Sequence, residues 1–463
     1  MTDPHGPPDL LALDAAHVWH PFTQAQTAPV PTVIVRGEGP YLYTADGQVL
    51  LDMVSSWWVN LHGHAHPHVA EAIARQARQL EHVIFAGFTH APAVTLAARL
   101  SGHLPPGLNR IFYSDNGSTA VEAALKIALQ AWYNRAEPRR HLLAFEGGYH
   151  GDTFGAMSAG QSTGFYRPFQ DKLFDVSFLP FPQTWQGDPD VEAKERASLA
   201  ALDLILEQHA SDVAALIAEP LVQGSSGMRM CRPQFLAEVV RRVKATGAFV
   251  IFDEVMTGFA RTGRMWAGQH LEPYGGAAPA INAAPDLMCL SKGLTGGFLP
   301  LGVTACTEEL YAEFRGDTFE RAFAHGHSYT ANPLACAAAL ASLDLLEAEA
   351  TWESIAAIAA AHARWLPELA GHPHLHRVRQ LGTVAAVQLR GAGGYGGRAS
   401  LELRAFFQER GLLLRPLGDT LYLLPPYCVQ DEHLEVAYRA LLDAAQVFGA
   451  PEAALSEPAS SAS

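Results

Sequence analysis

Cysteine is scarce in this chain and follows no pattern: five cysteines occur among 463 residues, and no two are spaced as C-x-x-C. An odd, scattered set of thiols excludes a disulfide framework and is typical of a reducing compartment. Long apolar runs are missing as well, since no stretch of about 18 apolar residues occurs. Residues 1–16 place proline and aspartate where a signal peptide needs a basic start and an apolar core. We therefore expect a cytoplasmic protein.

Positive charge is also in short supply. The chain has 32 Lys and Arg residues against 47 Asp and Glu residues, a formal net charge of −15. Such a chain offers no basic face to replace the counterions of a nucleic acid or to bind an anionic membrane, so neither is an expected partner. Hydrophobic residues make up 49% and charged residues 17%. This is enough apolar material for one large core with a smaller domain beside it.

The stretch from residue 248 to residue 300 organises the rest of the chain. Residues 248–253 form an apolar run, rich in β-branched and aromatic residues, that ends at Asp253 and predicts a buried parallel strand. A second short strand is predicted at 286–290, and it leads to Lys292 in a loop of Ser, Gly and Thr. Ligands of open α/β sheets bind at the carboxyl ends of the strands. We therefore expect Asp253 and Lys292 at one edge of a sheet.

Pyridoxal phosphate (PLP) is a cofactor that needs such a pair. A lysine amine holds PLP as a Schiff base, and a carboxylate keeps the ring nitrogen protonated. Taken singly, Lys292 is equally consistent with a surface lysine and Asp253 with a helix cap. The motifs described next favour the PLP interpretation of the two residues together.

Three further motifs come at predicted strand ends or helix starts. Gly117 and Ser118 open a long helix after the strand RIFYS, where free N–H groups and the helix dipole attract an anion such as phosphate; a plain N-cap is the alternative. Tyr149 follows a strand among glycines, where its ring is placed to stack on a flat cofactor or to fill core. Glu219 ends the strand VAALIA and reaches the same edge as Asp253.

Strand and helix signals alternate from residue 110 to residue 300, which predicts an α/β fold with parallel strands joined by right-handed crossovers. Before them, residues 33–53 suggest a small antiparallel sheet, and an amphipathic helix is predicted at 67–81. The polar residues 183–197 are predicted to form a loop that leaves the core, followed by a helix at 198–209. A loose insertion is expected at 274–285 and a break at 391–399.

Four histidines alternate at positions 62, 64, 66 and 68 and invite a metal interpretation. Pro67 breaks a strand there, and no carboxylate or cysteine completes the set, so we expect no metal. A generic nucleotide-binding interpretation fails because the chain has neither GxxxxGK[ST] nor a GxGxxG after a strand.

Taken together and in order, the motifs resemble those of the class III aminotransferases of the fold type I PLP family. The resemblance extends over nearly the whole chain and rests on WHPFTQ, SSWWVNLHGH, DNGSTAVEAALKIA, GYHGDTFGAMS, FDEVMTGFARTG, SKGLTGG, HGHSYTANP and RPLGD. It implies a large domain with a mostly parallel sheet and a small α/β domain built from both termini. The implied divisions are 1–66, 67–335 and 336–451, followed by a disordered tail at 452–463.

The resemblance also implies roles for individual residues. Lys292 would hold PLP and shuttle the proton, Asp253 would pair with the ring nitrogen, Gly117 and Ser118 would seat the phosphate, and Tyr149 would cover the ring. The loop of Gly326, His327 and Ser328 would complete the phosphate site of a partner subunit, with Gly326 also at the partner's substrate, which implies a homodimer. Phe22, Trp57, Trp58 and Arg415 would receive the substrate, with Arg415 binding its carboxylate.

Within the class, the motifs most resemble those of the members that aminate 8-amino-7-oxononanoate in biotin synthesis by a ping-pong reaction. Members using S-adenosylmethionine as donor usually have Tyr at the position of Phe22 and Pro-Thr at the position of His327-Ser328. The HGHSYT and HPFTQ motifs are more similar to those of lysine-using members, so both donors remain open. The alternatives are another ω-aminotransferase acting on 4-aminobutyrate, ornithine or a polyamine, and a non-catalytic PLP carrier.

Overall fold

The computed structural model describes residues 9–160, 166–209, 211–271, 283–391 and 398–450. Most of the loose insertion at 274–285, most of the break at 391–399 and the whole tail at 452–463 lie outside these residues. The proposed division of the chain at residues 66, 335 and 451 stays a prediction.

Strands occur throughout the chain, and the longest apolar ones lie between residues 108 and 307. In chain order they are β1 (Ile34–Glu38), β2 (Tyr41–Thr44), β3 (Val49–Asp52), β4 (Leu108–Ser114), β5 (His141–Phe145), β6 (Val176–Leu179), β7 (Val213–Ala218), β8 (Val222–Gln223), β9 (Arg229–Met230), β10 (Phe249–Asp253), β11 (Leu287–Leu290), β12 (Gly302–Thr307), β13 (Leu375–Leu381), β14 (Val384–Leu389), β15 (Leu412–Leu413) and β16 (Thr420–Leu423).

Helices alternate with these strands. In chain order they are α1 (Leu10–His17), α2 (Ser55–Trp58), α3 (Pro67–Ala77), α4 (Ala91–His103), α5 (Gly117–Asn134), α6 (Phe154–Ser158), α7 (Val191–His209), α8 (Pro233–Ala245), α9 (Glu308–Ala312), α10 (Pro333–Leu346), α11 (Glu349–Gly371), α12 (Arg398–Glu409) and α13 (Asp431–Phe448).

A seven-stranded sheet with the order β4-β12-β11-β10-β7-β5-β6 forms the centre of the molecule. β10 pairs in parallel with both β7 and β11, and all five of its residues are buried. β12 is antiparallel to both of its neighbours. Burying each Val or Ile side chain of such a strand contributes about 1.5–3 kcal/mol, so β10 is fixed firmly in the core. The prediction of an α/β fold with a mostly parallel sheet is confirmed.

The two ends of the chain meet in a second sheet of four strands. β1, β2 and β3 form the predicted antiparallel meander, and β15 adds in parallel to β3 through Leu412 opposite Leu51. β13, β14 and β16 form a separate antiparallel sheet. In the described part of the chain, no helix combines the length and apolar character needed to cross a bilayer.

Two predicted helix boundaries are wrong. α7 begins at Val191, not at residue 198, because the polar stretch VEAKERA consists of good helix formers, and its Glu195 pairs with Arg232 at 2.8 Å instead of facing a loop. α3 ends at Ala77, so Leu80 lies beyond the helix, and its carbonyl accepts a hydrogen bond from the Gln76 side chain at 2.9 Å.

Candidate active site

A cavity of about 460 Å³ opens at the carboxyl ends of the central parallel strands. It brings together Asp253, Lys292, Gly117, Ser118, Tyr149 and Trp58 from the predicted set. The full lining is Trp58, Val59, Asn116, Gly117, Ser118, Tyr149, His150, Gly151, Glu219, Asp253, Val255, Met256, Ser291, Lys292, Thr295, Gly297, Phe298, Leu299 and Pro300.

Asp253 is the last residue of β10, and its carboxylate is held from two sides. His150 Nδ1 lies 2.8 Å from Oδ2, and the Val255 N–H donates to Oδ1 at 3.1 Å. Both the His150 and Asp253 side chains are almost completely buried. A buried carboxylate that receives two hydrogen bonds keeps a fixed orientation.

Lys292 follows β11, is half-buried and lines the cavity. Its φ of +43° is unusual for a residue with a side chain, and its amine lies 5.0 Å from the Trp58 ring centroid. Burial lowers the pKa of the Lys292 amine, and this effect outweighs the opposing charges of Asp253 and Glu219. A lysine of lowered pKa is more often neutral, and a neutral amine is the nucleophilic form.

Glu219 extends the acidic side of the cavity from the end of β7. Its Oε1 accepts from the Tyr149 N–H and its Oε2 from the Gly224 N–H, both at 3.0 Å. Burial raises the pKa of Glu219 to about 7, and the nearby Asp253 charge adds to this effect. Two carboxylates therefore lie beside one amine.

The N-terminus of α5 forms the opposite wall. Asn116 caps the helix by accepting from Thr119 N–H at 3.0 Å, and the Thr119 hydroxyl reaches back to complete a capping box. Gly117 and Ser118 occupy the first turn. A Cβ on Gly117 would lie 2.8 Å from Val255 Cγ1, so only glycine lets the backbone approach this closely. Free N–H groups and the dipole of an 18-residue helix make the turn an anion site.

Tyr149 borders the cavity through both its backbone and its ring. The hydroxyl donates to Asp152 Oδ2 at 3.0 Å, and the Asp152 N–H donates to Ser118 Oγ at 3.0 Å. Burial raises the pKa of the Tyr149 phenol, so the phenol stays protonated. The tyrosine loop and the helix turn are thereby tied together.

The predicted substrate residues divide between the cavity and a neighbouring cluster. Trp58 is buried, and its Nε1 donates to the Tyr422 hydroxyl at 2.9 Å. Trp57, Phe22 and Arg415 lie outside the cavity lining. The Arg415 guanidinium lies 4.6 Å from the Trp57 ring centroid, and Phe22 meets the same ring edge-on at 5.7 Å. The cluster places a cation and aromatic faces next to Trp58.

The loop of Gly326, His327 and Ser328 is not part of this chain's cavity lining. His327 Nδ1 lies 3.8 Å from Asp115 Oδ2, just before the α5 turn. The single chain therefore leaves open the predicted role of these residues in a partner's site.

Three of the four alternating histidines have separate polar partners. His62 lies 3.0 Å from the Ser342 hydroxyl, His64 3.0 Å from Asp52, and His68 2.9 Å from Asp344. Among the described residues, no group of three or more His, Cys, Asp or Glu side chains is arranged to hold a metal ion.

Some residues of the site were not selected from the sequence. His150 directly follows Tyr149, and its bond to Asp253 joins residues 103 positions apart. Val255 and Met256 directly follow the acidic strand end, a position that could have marked them as lining. Arg261 was also missed; it is fully buried and donates to the carbonyls of Pro425 at 2.8 Å and Asn60 at 2.9 Å.

A second depression, of about 520 Å³, lies near the start of β5. Arg139, Arg140, Asp175 and Asp212 give its lining charges of both signs, and no residue of the predicted set lies in it. The first cavity is therefore the candidate active site.

A buried lysine beside a carboxylate at the carboxyl ends of a mostly parallel sheet, with an anion site at a neighbouring helix N-terminus, defines a fold type I PLP-dependent enzyme. The sequence profile "Aminotransferase class-III" matches residues 22–445. The chain belongs to this family.

Named relatives and solved structures agree with this assignment. The chain is 54% identical to the adenosylmethionine-8-amino-7-oxononanoate aminotransferase of Synechococcus elongatus, over 92% of this chain and 98% of the relative. The same-named protein of Methanocaldococcus jannaschii superposes with a TM-score of 0.86 at 33% identity, covering 94% and 98% of the two chains. An amine transaminase from an uncultivated Pseudomonas species, in a PLP-bound form, gives 0.83 at 31% identity, covering 93% and 99%.

The residues present fit PLP, the cofactor of this class. A Cβ on Gly151 would lie 1.8 Å from Ser118 Oγ, so the glycine keeps this hydroxyl at the mouth of the anion turn. The Asp253–His150 pair supplies a buried carboxyl group in a fixed orientation, and Lys292 supplies an amine. The predictions of a PLP-dependent aminotransferase and of its cofactor are confirmed.

Proposed function

We propose that this enzyme transfers an amino group to 8-amino-7-oxononanoate and so forms 7,8-diaminononanoate in biotin synthesis. Two contacts carry the proposal. Trp58 is buried beside the Lys292 amine, and the ring of the neighbouring Trp57 lies against the Arg415 guanidinium. A long aliphatic substrate with a terminal carboxylate needs an apolar wall near the reacting amine and a cation farther away. The relatives that carry the corresponding name support the same assignment.

Five residues would hold the cofactor. Gly117 and Ser118 would bind the phosphate, Asp253 would face the ring nitrogen, Tyr149 would cover one ring face, and Lys292 would form the covalent link. When bound, PLP supplies an electron sink that makes the C–H bond beside the donor amine acidic enough to break.

Lys292 would then act as the proton carrier. Its lowered pKa favours the neutral amine, which can accept the proton from the donor carbon and return it on the other side of the exchange. Asp253, held in place by His150, would keep its carboxylate directed at the ring nitrogen, and Trp58 would exclude water from the reacting atoms.

The partner subunit would complete the site. Gly326, His327 and Ser328 lie outside this chain's own cavity lining, and a homodimer with its active sites at the interface would give them a function at the partner's phosphate, with Gly326 also contacting the partner's substrate. Free thiols at all five cysteines support a reducing location, and we propose the cytoplasm.

The amino donor is S-adenosylmethionine or lysine, and one measurement tests both the donor and the class of substrate. The purified PLP form is mixed with each donor, and pyridoxamine phosphate is followed by its absorbance. One of the two donors should produce it, and 8-amino-7-oxononanoate should restore the original spectrum. Conversion by 4-aminobutyrate, ornithine or a polyamine, with no response to the oxononanoate, would contradict the proposal.

A variant at Arg415 separates an enzyme from a mere PLP carrier. Arg415→Ala should raise the KM for the oxononanoate about 10- to 100-fold, the usual loss for a charged hydrogen-bonded pair. PLP content should change far less. Arg410→Ala is the matched control. The Arg410 guanidinium also lies over an aromatic ring, that of Phe406 at 3.5 Å, but Arg410 follows α12 and does not line the cavity.

A further inference from the structure

A five-residue turn, 224–228, joins β8 to β9 at the wall of the cavity. The Met228 N–H donates to the Gly224 carbonyl at 3.0 Å. Gly227 has a φ of +88° and Met228 a φ of +50°. Two successive residues in the left-handed region, one of them with a side chain, cost free energy. The turn therefore needs support from outside its own backbone.

The turn contacts three residues of the candidate active site. The Gly224 N–H donates to Glu219 Oε2 at 3.0 Å, and the other oxygen of that carboxylate accepts from Tyr149. A Cβ on Gly224 would lie 3.2 Å from Cζ3 of Trp58 and 3.1 Å from Cε of Met256. A displacement of the turn would thus be felt by Glu219 and by the apolar wall of the substrate cavity.

Part of this support comes from the Ser226 hydroxyl, which donates to the Gly147 carbonyl. The rest of it comes from Arg379 in β13, far along the chain. Its side chain is buried, with 3% exposed. Nε donates to the Met228 carbonyl at 2.7 Å, Nη2 donates to the Gly227 carbonyl, and Nη1 donates to the Arg377 carbonyl at 2.6 Å. The pairing of β13 with β14 is irregular at this point, between His376 and Arg379. One guanidinium thus joins the turn to an irregular strand of another sheet.

A buried guanidinium bound to neutral carbonyls is an unusual choice for stability alone. Burial lowers the pKa of Arg379 to about 10, and the side chain remains charged at neutral pH. Replacing such a group by an apolar one often costs little, provided that the acceptors find other donors. What arginine adds is geometry, because its planar fork binds two carbonyls in fixed directions and a lysine ammonium does not.

We propose that Arg379 is a positioning residue for the amino transfer: it holds the turn 224–228 where Gly224 binds Glu219 and packs against Trp58. The identity of the substrate in this inference rests on the proposed function. The role of Arg379 in holding the turn rests on the geometry alone. Loss of the guanidinium releases the turn, removes one N–H donor from Glu219 and loosens the wall beside Trp58. Binding of the keto acid suffers first.

The first test follows the turn itself by hydrogen exchange and mass spectrometry of the purified PLP form. Arg379→Met should speed exchange in peptides covering residues 219–230, and Arg379→Lys should give an intermediate effect. Arg377→Met is the control, because Arg377 lies in the same strand but its side chain bonds to Gln388 at 3.1 Å, away from the turn. It should leave these peptides unchanged.

The second test measures steady-state kinetics with the oxononanoate. Arg379→Met should raise its KM about 10-fold with a smaller change in kcat, as expected when substrate binding is lost more than transition-state stabilisation. Unchanged exchange at 219–230, or faster exchange spread over the whole chain, would overturn the proposal. If Arg379→Met does not fold, the exchange and kinetic measurements are made on Arg379→Lys and are interpreted in the same way. A wild-type enzyme inactive on the oxononanoate would refute the proposed function and leave the exchange result standing.

Discussion

At the scale of single residues, the lowered pKa of the Lys292 amine, which favours its reactive neutral form, also lowers the stability of the fold. The folded protein removes much of this side chain from water, and the unfolded chain exposes it fully. Because burial lowers its pKa below the ordinary 10.5, the unfolded state binds this proton more tightly than the folded state. Below the folded pKa the charged amine destabilises the fold, and this penalty disappears as the pH rises toward 10.5.

Lys292→Met should therefore raise the melting temperature of the PLP-free protein more at pH 6.5 than at pH 10. The reason is that methionine fills similar space without a charge to bury. Differential scanning calorimetry at the two pH values measures the effect. Lys172→Met, at an exposed lysine, is the control and should shift the melting temperature equally at both. An equal shift for Lys292→Met at the two pH values would contradict a buried, perturbed amine.

The sequence predicted some residues of the site better than others, for a physical reason. Asp253, Glu219 and Lys292 end or follow apolar strands, and parallel strands bring their carboxyl ends together, so position along the chain sufficed. The contact of His150 with Asp253 and that of Arg379 with the turn 224–228 depend on how distant elements pack. Nothing in the local sequence around Arg379 marks it as different from the neighbouring Arg377.

At the scale of elements, the N-terminus of α5 is the clearest case of a local signal with a consequence for the site. Asn116 closes the capping box and also lines the cavity. The helix cap and the proposed phosphate seat are therefore the same turn.

Asn116→Ala should lower the free energy of unfolding by about 1 kcal/mol, the usual cost of losing an N-cap, and should also weaken PLP retention. Urea unfolding measures the first effect, and cofactor release during dialysis measures the second. Thr307→Ala removes the N-cap of α9, where Thr307 accepts from Leu310 N–H at 3.2 Å, outside the cavity lining. This control should lose stability without losing cofactor. Similar PLP loss in both variants would refute a specific role for the α5 turn.

The bounds of helices and strands were predicted well where the element is buried and its apolar residues follow a regular pattern. They were predicted poorly where the element is a polar helix. β10 and β11 were placed within one residue because every side chain is buried. The start of α7 was missed because its first turns, of Glu, Lys and Arg, lack an apolar stripe. Its Glu195 bonds to Arg232 just before α8, a contact that no local pattern predicts.

At the scale of the whole molecule, the proposed homodimer can be tested by complementation between two inactive chains. Lys292→Ala removes the amine, and Ser328→Asp places a negative charge where the partner's phosphate is proposed to bind. In a mixed dimer, one site would combine an intact lysine with an intact loop from the other chain. Random assembly of equal amounts should restore about a quarter of wild-type activity.

The control for this experiment is each variant alone, together with a mixture of Lys292→Ala and Asp253→Asn chains. That mixture should stay inactive, because both defects fall on residues that a single chain supplies to its own site. Light scattering should give about twice the chain mass of 49.9 kDa. Absence of activity in the first mixture, with dimers present, would show that the loop does not serve the partner.

The pairing of β15 with β3 has a consequence for how the protein is made. Leu412 pairs with Leu51, and the Leu424 N–H bonds to the Met53 carbonyl at 2.9 Å, so the segment that carries Trp57 and Trp58 is held by residues synthesised some 360 positions later. Domains that fold from contiguous sequence assemble while the ribosome is still translating them. Here the tryptophan segment must wait until nearly the whole polypeptide has been translated. Nascent chains halted before residue 412 should therefore leave Trp58, which is buried in the folded protein, accessible to quenchers.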